Sequence, residues 1–454
     1  RQVSVYGQRP PNHPYTITVP GACAGWYDLV ERYGRLPLSR SLSPAIRLAE
    51  QGFPVAPLTA RAWLVGMGGT LSLAFGGREL TVQGRAPRAG ELFRNPGLAQ
   101  VLQQIAEGGK RAFYEGPIAE LIVQTVQAAG GCLELSDLAA HQSSWESPIS
   151  TTYRGVRIWE CPPNGQGLTA LLALNILEGF DLASLPALST QRLHLEIEAM
   201  RLAFADTRWY VADPAFNPAP LDELLSKDYA ASRRKLLDPA RATLDQRHGA
   251  PFTSSDTVYL SVVDGQGNAC SFINSLYMGF GSGIVPPGSG FALQNRGHNF
   301  SLEPGRPNTL APGKRPYHTI IPALATQARF PLQGDTPTGE DLFACFGVMG
   351  GFMQPQGHMQ VISALVDDGL DPQAALDRPR FCLHDGETGG DVSLEQGIPV
   401  EVMSALAHLG HTVRPESGLH RSIFGRGQVI LRDAQTGVLS GGSDPRADGC
   451  VMTY

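Results

Sequence analysis

The hydrophobic period of this 454-residue chain changes at Thr257, and that change decides which architectures are open to it. Upstream the spacing is helical. Leu193, Ile197, Met200 and Phe204 fall four, three and four residues apart, which puts them on one face of a helix that Ser189 or Thr190 can cap. The run from Leu168 to Leu177 is apolar almost all round, with Gly179 just beyond, and reads as a helix buried on every side. Leu98–Ala106 and Ile118–Ala129 read as further helices, closed by Gly108-Gly109 and Gly130-Gly131. Downstream the period shortens. Thr257–Asp264, Cys270–Ser275, Ile320–Ala325, Leu342–Phe346 and Val429–Arg432 look like strands, interrupted by helices near Met359–Val366 and Val400–Leu409. Periodicity alone therefore gives a mixed α and β protein.

Composition narrows the function classes. With 42% hydrophobic and 17% charged residues the chain can bury a large core, and its length would ordinarily mean more than one domain. A formal net charge of −6, with no lysine- or arginine-rich tract, argues against a general affinity for nucleic acid or acidic membranes. No stretch approaches the roughly 18 consecutive apolar residues of a membrane-spanning helix. The seven cysteines are scattered and include no Cys-x-x-Cys pair, so buried free thiols are expected, with a slight lean toward a reducing, cytoplasmic compartment. The eleven histidines are equally scattered, without a His-Glu-x-x-His set. No metal or other cofactor is implied. The polar stretch Arg241–Ser255 reads as an exposed loop.

Thr257 heads a strand-like run and follows the polar Thr253-Ser254-Ser255-Asp256. A threonine there is ordinarily a β-former. Its hydroxyl becomes a useful nucleophile only beside a base, and the residue's own α-amine is such a base if the chain is cut just before it. An α-amine has a pKa of roughly 7.7–8.0, so an appreciable neutral fraction exists near neutral pH. The run Phe346-Gly347-Val348-Met349-Gly350-Gly351, after an apolar strand, is either a tight turn or a set of backbone N–H donors that a substrate can approach closely. A nucleotide-binding loop is disfavoured by the missing Gly-Lys-Ser/Thr ending. Asn268, in Gly265-Gln266-Gly267-Asn268, reads as hairpin chemistry, and Gln354, Gln356 and His358 as braces for the following helix.

Val19-Pro20-Gly21, Tyr153-Arg154-Gly155, Pro162-Pro163, Ala205-Asp206, Asp213-Pro214, Phe280-Gly281-Ser282-Gly283, Lys314-Arg315-Pro316, Gly350-Gly351 and Ser443-Asp444-Pro445-Arg446 occur in an order that resembles the γ-glutamyltranspeptidase family of N-terminal-nucleophile hydrolases. The likeness spans nearly the whole chain. It implies an α+β fold, a four-layer α-β-β-α sandwich, in which residues 1–256 and 257–454 form a helix-rich large part and a strand-rich small part sharing one core. It also implies self-cleavage between Asp256 and Thr257, the two fragments staying associated. Thr257 would then be the nucleophile, Gly350 and Gly351 would hold the oxyanion, and Ser275 would steady the nucleophile. The substrates implied are small-molecule amides, glutathione-type γ-glutamyl compounds first. Oxamate, a cephalosporin acyl side chain, or a non-catalytic binding role are the alternatives. Members normally carry a segment ahead of Val19-Pro20-Gly21, where the arginine for the substrate carboxylate is expected and where a leader would lie, so a periplasmic or secreted location stays open.

Departures from the family pattern bear on the substrate. Asn299 stands where typical members place the aspartate that binds the glutamyl ammonium, which forfeits roughly half of the hydrogen bond's strength. His318-Thr319 replaces a serine pair, and Tyr277 replaces an asparagine that contacts the amino-acid head. With Arg296, His298 and Arg315, these changes shift the lining toward positive charge and toward a small anion, unless the arginines are held in ordinary ion pairs. The segment Phe300–Pro316 is short beside members that carry a lid, so water should compete well with an acceptor.

Overall fold

The computed structural model describes residues 10–72, 74–244, 255–329, 338–384 and 391–453. The chain divides into two compact units: one runs to Trp145 and takes in Ser275–Leu302, and the other holds Glu146–Asn274 and the chain from Glu303 onward. The second unit thus draws on both sides of Thr257, a different division from the 256/257 boundary. Most of the exposed loop expected over Arg241–Ser255 lies outside the described residues.

The first unit is helical: α1 (Ala22–Tyr33), α2 (Leu38–Gln51), α3 (Pro57–Gly66), α4 (Pro96–Tyr114), α5 (Pro117–Ala128) and α6 (Leu135–Ala139), with a two-residue ladder between β1 (Phe53–Pro54) and β2 (Leu92–Phe93). The glycines expected to end a helix at 108–109 instead kink α4. Gly109 sits at φ +63, and helical geometry resumes beyond it, where Phe113 and Tyr114 join the core with Ile105, Ile118 and Ile122. Burial of that second apolar turn outweighs the break that the glycine imposes.

The second unit carries the hairpin β3 (Ile149–Tyr153) and β4 (Val156–Glu160), the helices α7 (Gly167–Leu177), α8 (Thr190–Tyr210), α9 (Leu221–Leu224) and α10 (Lys227–Arg234), and the strands β5 (Ser255–Val263), β6 (Ala269–Met278), β7 (Ala323–Arg329) and β8 (Gly339–Met349). It continues with α11 (Met353–Val366), α12 (Pro372–Asp377), β9 (Phe381–Leu383), β10 (Val392–Glu395), α13 (Val400–His408), β11 (Val413–Glu416), β12 (Arg426–Arg432) and β13 (Leu439–Ser443). β6 leaves this unit at Ser275.

A six-stranded antiparallel sheet of order β13-β12-β8-β7-β4-β3 is its centre. The two faces of β8 alternate as a strand's must. Ala344, Phe346 and Val348 join the apolar residues of α7, α8 and α11 in one core, while Gly347 lies against Tyr259 of β5. Helices therefore cover one face of the sheet and the β5–β6 hairpin covers the other, as helix-on-sheet and sheet-on-sheet layers. On the outer side of β5, Val258, Leu260 and Val262 are exposed.

Ser189 caps α8 as expected, its hydroxyl accepting the Arg192 N–H at 3.3 Å. The β3–β4 hairpin was not legible from the period: it turns through Arg154 and Gly155, both at positive φ, where an Asn-Gly pair would have announced a two-residue turn. All seven cysteines are free, yet only Cys23, Cys345 and Cys382 are buried. Cys132, Cys270 and Cys450 are exposed, which corrects the expectation of buried thiols.

Two polar devices hold the last third of the second unit together. Glu395 accepts from Arg446 and Arg421, and Asp444 pairs with Arg380 at 2.9 Å and Arg446 at 3.0 Å. Burial pushes the Asp444 carboxyl upward, but the two arginines and the N–H groups of Arg446 and Gly427 outweigh it and hold the group below the ordinary range. Along β9, Gln356 and Gln360 of α11 exchange paired amide hydrogen bonds with Leu383 and Phe381 at 2.7–3.1 Å. Gln356, expected to cap or brace the following helix, lies within that helix and braces β9 instead.

Candidate active site

Thr257 lies on the inner face of β5 and is 4% exposed. Its level along β8 follows from its neighbours. The Ser261 hydroxyl donates to the Cys345 carbonyl at 3.2 Å, and the Tyr259 ring lies so close to Gly347 that a Cβ there would fall 2.5 Å from it. Two residues back along β5 correspond to two residues forward along β8. Extended by the same step, this correspondence points from Thr257 toward Met349, the residue before Gly350. The Tyr259 hydroxyl sits between Ser261 Oγ and Ser271 Oγ, each at 2.7 Å, which fixes the ring that keeps this register.

Gly350 and Gly351 turn the chain from β8 into α11. Their φ angles are +146 and +62, conformations that side chains rarely adopt, and a Cβ on Gly350 would meet Gly425 Cα at 3.2 Å. Their carbonyls accept from Met353 N and Gln354 N at 3.1 and 3.2 Å, opening the helix. Among the described residues, no hydrogen bond is made by the N–H of either glycine. Two backbone donors at a helix N-terminus suit a developing negative charge.

The side chain that fixes this turn was not singled out in the sequence. Gln166, fully buried, donates to the Gly351 carbonyl at 2.8 Å and the Thr319 carbonyl at 2.7 Å, while its own oxygen accepts from the Tyr317 hydroxyl at 3.1 Å. Its segment is zipped to the one carrying His318: Gln166 N donates to the His318 carbonyl at 3.0 Å, and His318 N to the Asn164 carbonyl at 2.8 Å. Asn164 Nδ2 stands 2.9 Å from His318 Nδ1 and donates to Pro316 O at 2.6 Å. His318 and Thr319 are thereby joined to the glycine turn through one amide. The signal available beforehand was the polar Asn164-Gly165-Gln166 between a strand-like and an apolar run.

Ser275, Tyr277, Arg296 and Asn299 belong to the first unit. Ser275 Oγ accepts the Tyr277 N–H at 2.8 Å, and Tyr277, 2% exposed, is held at φ +79. A buried tyrosine in the left-handed region is strained, and such strain clusters at functional positions. The Arg296 guanidinium stacks 4.8 Å from the Tyr277 ring centroid, with the His298 ring 6.5 Å from the same ring. Burial lowers Arg296 to about 10, partly offset by Tyr277. Asn299, half-buried, ends the short 3-10 turn Arg296–Asn299. Arg315 takes the structural course instead: it pairs with Asp213 at 3.3 Å and Glu146 at 3.7 Å, which accounts for the paired Asp213-Pro214 and Lys314-Arg315-Pro316 motifs.

Among the described residues, one donor set is compact enough for a metal ion, the buried His194, Glu198 and His411. Its chemistry is already balanced. His411 and His194 share a hydrogen bond at 2.8 Å, His194 reaches the Asp238 carbonyl, and the Arg201 guanidinium lies 3.4 Å from Glu198 as its counter-charge. A divalent ion there would face that cation in a dry interior.

Comparison with known proteins gives the family and the fold. The family model for gamma-glutamyltranspeptidase matches residues 3–454. The chain is 36% identical over 440 residues to a glutathione hydrolase-like YwrD proenzyme of Bacillus subtilis, covering 96% of this chain and 80% of that protein. It is 32% identical to an oxamate amidohydrolase proenzyme of Klebsiella pneumoniae, covering 96% and 81%. Among solved structures, a cephalosporin acylase from Bacillus halodurans superposes with a TM-score of 0.87 at 46% identity, covering 98% of this chain and 80% of that one. The strand-borne threonine, the glycine turn and these likenesses lead to one assignment: the chain belongs to the gamma-glutamyltranspeptidase family of N-terminal-nucleophile amidohydrolases.

Proposed function

We propose that the chain is a proenzyme whose Thr257 Oγ attacks the preceding Asp256 carbonyl. The peptide nitrogen leaves as the Thr257 α-amine, and water hydrolyses the resulting ester to release two associated fragments. In the mature form that amine takes the Thr257 hydroxyl proton, Oγ attacks a substrate amide, and the N–H groups of Gly350 and Gly351 receive the oxyanion. The leaving amine takes the proton, and water resolves the acyl-enzyme. The observation that supports this reading is the two-residue step by which Ser261 meets Cys345 and Tyr259 meets Gly347, since its extension along β5 runs from Thr257 toward the glycine turn.

The substrates we propose are amides whose acyl part bears a carboxylate, glutathione-type γ-glutamyl amides first, with hydrolysis ahead of transfer. A second reading, an anionic amide without an ammonium group such as oxamate or a cephalosporin side chain, is favoured by the neutral Asn299 and by the 46% identity to a cephalosporin acylase. The test is a denaturing gel followed by assays on glutathione, oxamate and a cephalosporin side by side. Two fragments split at Thr257, a single band for Thr257→Ala, and turnover of one of the three are expected. A full-length wild-type band with no turnover would overturn the proposal in favour of a binding protein.

A further inference from the structure

The glycine turn is anchored from a second direction by two buried side chains that the chemistry above does not use. β7 begins at Ala323, opposite Phe346, so β8 runs on past the end of its neighbour and Val348 is left without a strand on that side. The acceptor for its N–H is instead a ring nitrogen: Val348 N donates to His358 Nε2 at 3.0 Å. A nitrogen that accepts carries no proton, so the imidazole proton is on Nδ1. From there it is donated to Glu160 Oε1 at 2.6 Å. Val348, His358 and Glu160 are all essentially excluded from water. Glu160 closes β4 and opens the very segment that delivers Gln166 to Gly351. The stretch from 160 to 166 thus grips β8 and its turn at two points, the Val348 N–H through His358 and the Gly351 carbonyl directly.

We propose that Glu160 and His358 are positioning residues for the reaction, a bracket that holds the end of β8 so that the Gly350 and Gly351 N–H groups point where the oxyanion forms. This rests on the reading of Thr257 and the glycine pair as the reaction centre. Displacements well under 1 Å at an oxyanion donor are costly because the donor's value lies in being already aimed. A buried N–H stripped of its acceptor is costly enough to let the strand end move to find another. Glu160 acts as an acceptor here. Its second oxygen, Oε2, is buried without a hydrogen-bond partner and lies against Gly167, where a Cβ would fall 3.2 Å away. Burial raises the Glu160 carboxyl against the pull of His358, and a proton taken up on Oε2 would leave Oε1 free to accept as before. The bracket therefore needs an oxygen at that place and not a charge, which makes glutamine the sparing substitution and leucine the damaging one.

The experiment uses the full chain as wild type, Glu160→Gln, Glu160→Leu, His358→Phe and His358→Gln. It reads amide hydrogen exchange across the chain together with kcat and KM on the best of the three amides. For Glu160→Leu and His358→Phe the expected result is exchange at least tenfold faster confined to Val348–Gly351, with kcat at least tenfold lower and KM within about twofold. Glu160→Gln should stay near wild type, and His358→Gln should recover part of the loss through its amide oxygen. If His358→Phe fails to fold, the two Glu160 variants carry the same comparison. Unchanged exchange and kcat in a folded Glu160→Leu would overturn the bracket, and so would exchange rising evenly over the whole chain with Glu160→Gln as damaged as leucine. Absence of any wild-type turnover would sink the amidohydrolase reading. The bracket would then still stand or fall on whether faster exchange is local to Val348–Gly351.

Discussion

Gln166 donates one side-chain amide to two carbonyls, Gly351 at 2.8 Å and Thr319 at 2.7 Å, and so ties the glycine turn to the segment that leads into β7. Gln166→Leu removes both bonds within a dry interior, together with one partner of the Tyr317 hydroxyl, which also meets Thr169 and Thr207. Each buried group left unpaired costs about 1–3 kcal/mol. Chemical denaturation should show a loss of that order or more, and steady-state kinetics should show kcat falling at least tenfold with a smaller change in KM.

At Gly347 the two sheets approach closely. In Gly347→Ala the new methyl would meet the Tyr259 ring at 2.5 Å, and that ring is fixed by Ser261 and Ser271, so β5 must shift along β8. Overpacking of this kind costs about 1–3 kcal/mol. Maturation and turnover should both slow, and Tyr259→Leu in the same chain should restore part of the thermal stability.

Arg446→Met leaves Glu395 and Asp444 short of a buried counter-charge. Breaking such a pair from one side costs about 3–5 kcal/mol. The same cluster sets a pH dependence. Asp444 is held below its ordinary range when folded, so its contribution to stability is present above the unfolded value of about 3.9 and is lost as pH falls through the lower folded value. Denaturation at pH 5 and pH 3 should show a loss in the wild type that is smaller in Asp444→Asn, whose stability at pH 5 is already reduced.

Arg296→Leu removes a cation that burial makes costly together with its stacking on the Tyr277 ring, so substrate binding is to be read in a variant that thermal unfolding shows to be folded. KM for an amide with a carboxylate on its acyl side should rise about tenfold or more, and a neutral analogue should be little affected. Equal loss for both would remove Arg296 from acyl recognition.

The elements legible in the sequence were those whose local signals agreed with their burial. α7 is apolar on every side and is buried on every side; α8 has a serine at its cap and a periodic face, and both appear where the spacing put them. α4 departed because tertiary burial of Phe113 and Tyr114 overrode the stop signal at Gly109. Thr257 at the head of a strand and the glycine turn at the end of another were legible as local features, but by themselves they read as a β-former and a tight turn, and the roles proposed for them come from the family resemblance. Gln166, Asn164, Glu160 and His358 were harder to find, since their roles consist of bonds to residues 10 to 198 positions away. Single charged residues were ambiguous for the same reason: Arg315 found Asp213, whereas Arg296 settled over an aromatic ring.

The paired amides that Gln356 and Gln360 present to β9 reach beyond the packing of one helix. β9 is the last strand of its three-stranded sheet, and a bare outer rim of N–H and C=O groups is where a foreign strand would ordinarily add itself. Here that rim is already occupied by glutamines from the same chain. At that side the molecule offers no template for growth, so self-association through added strands must begin elsewhere.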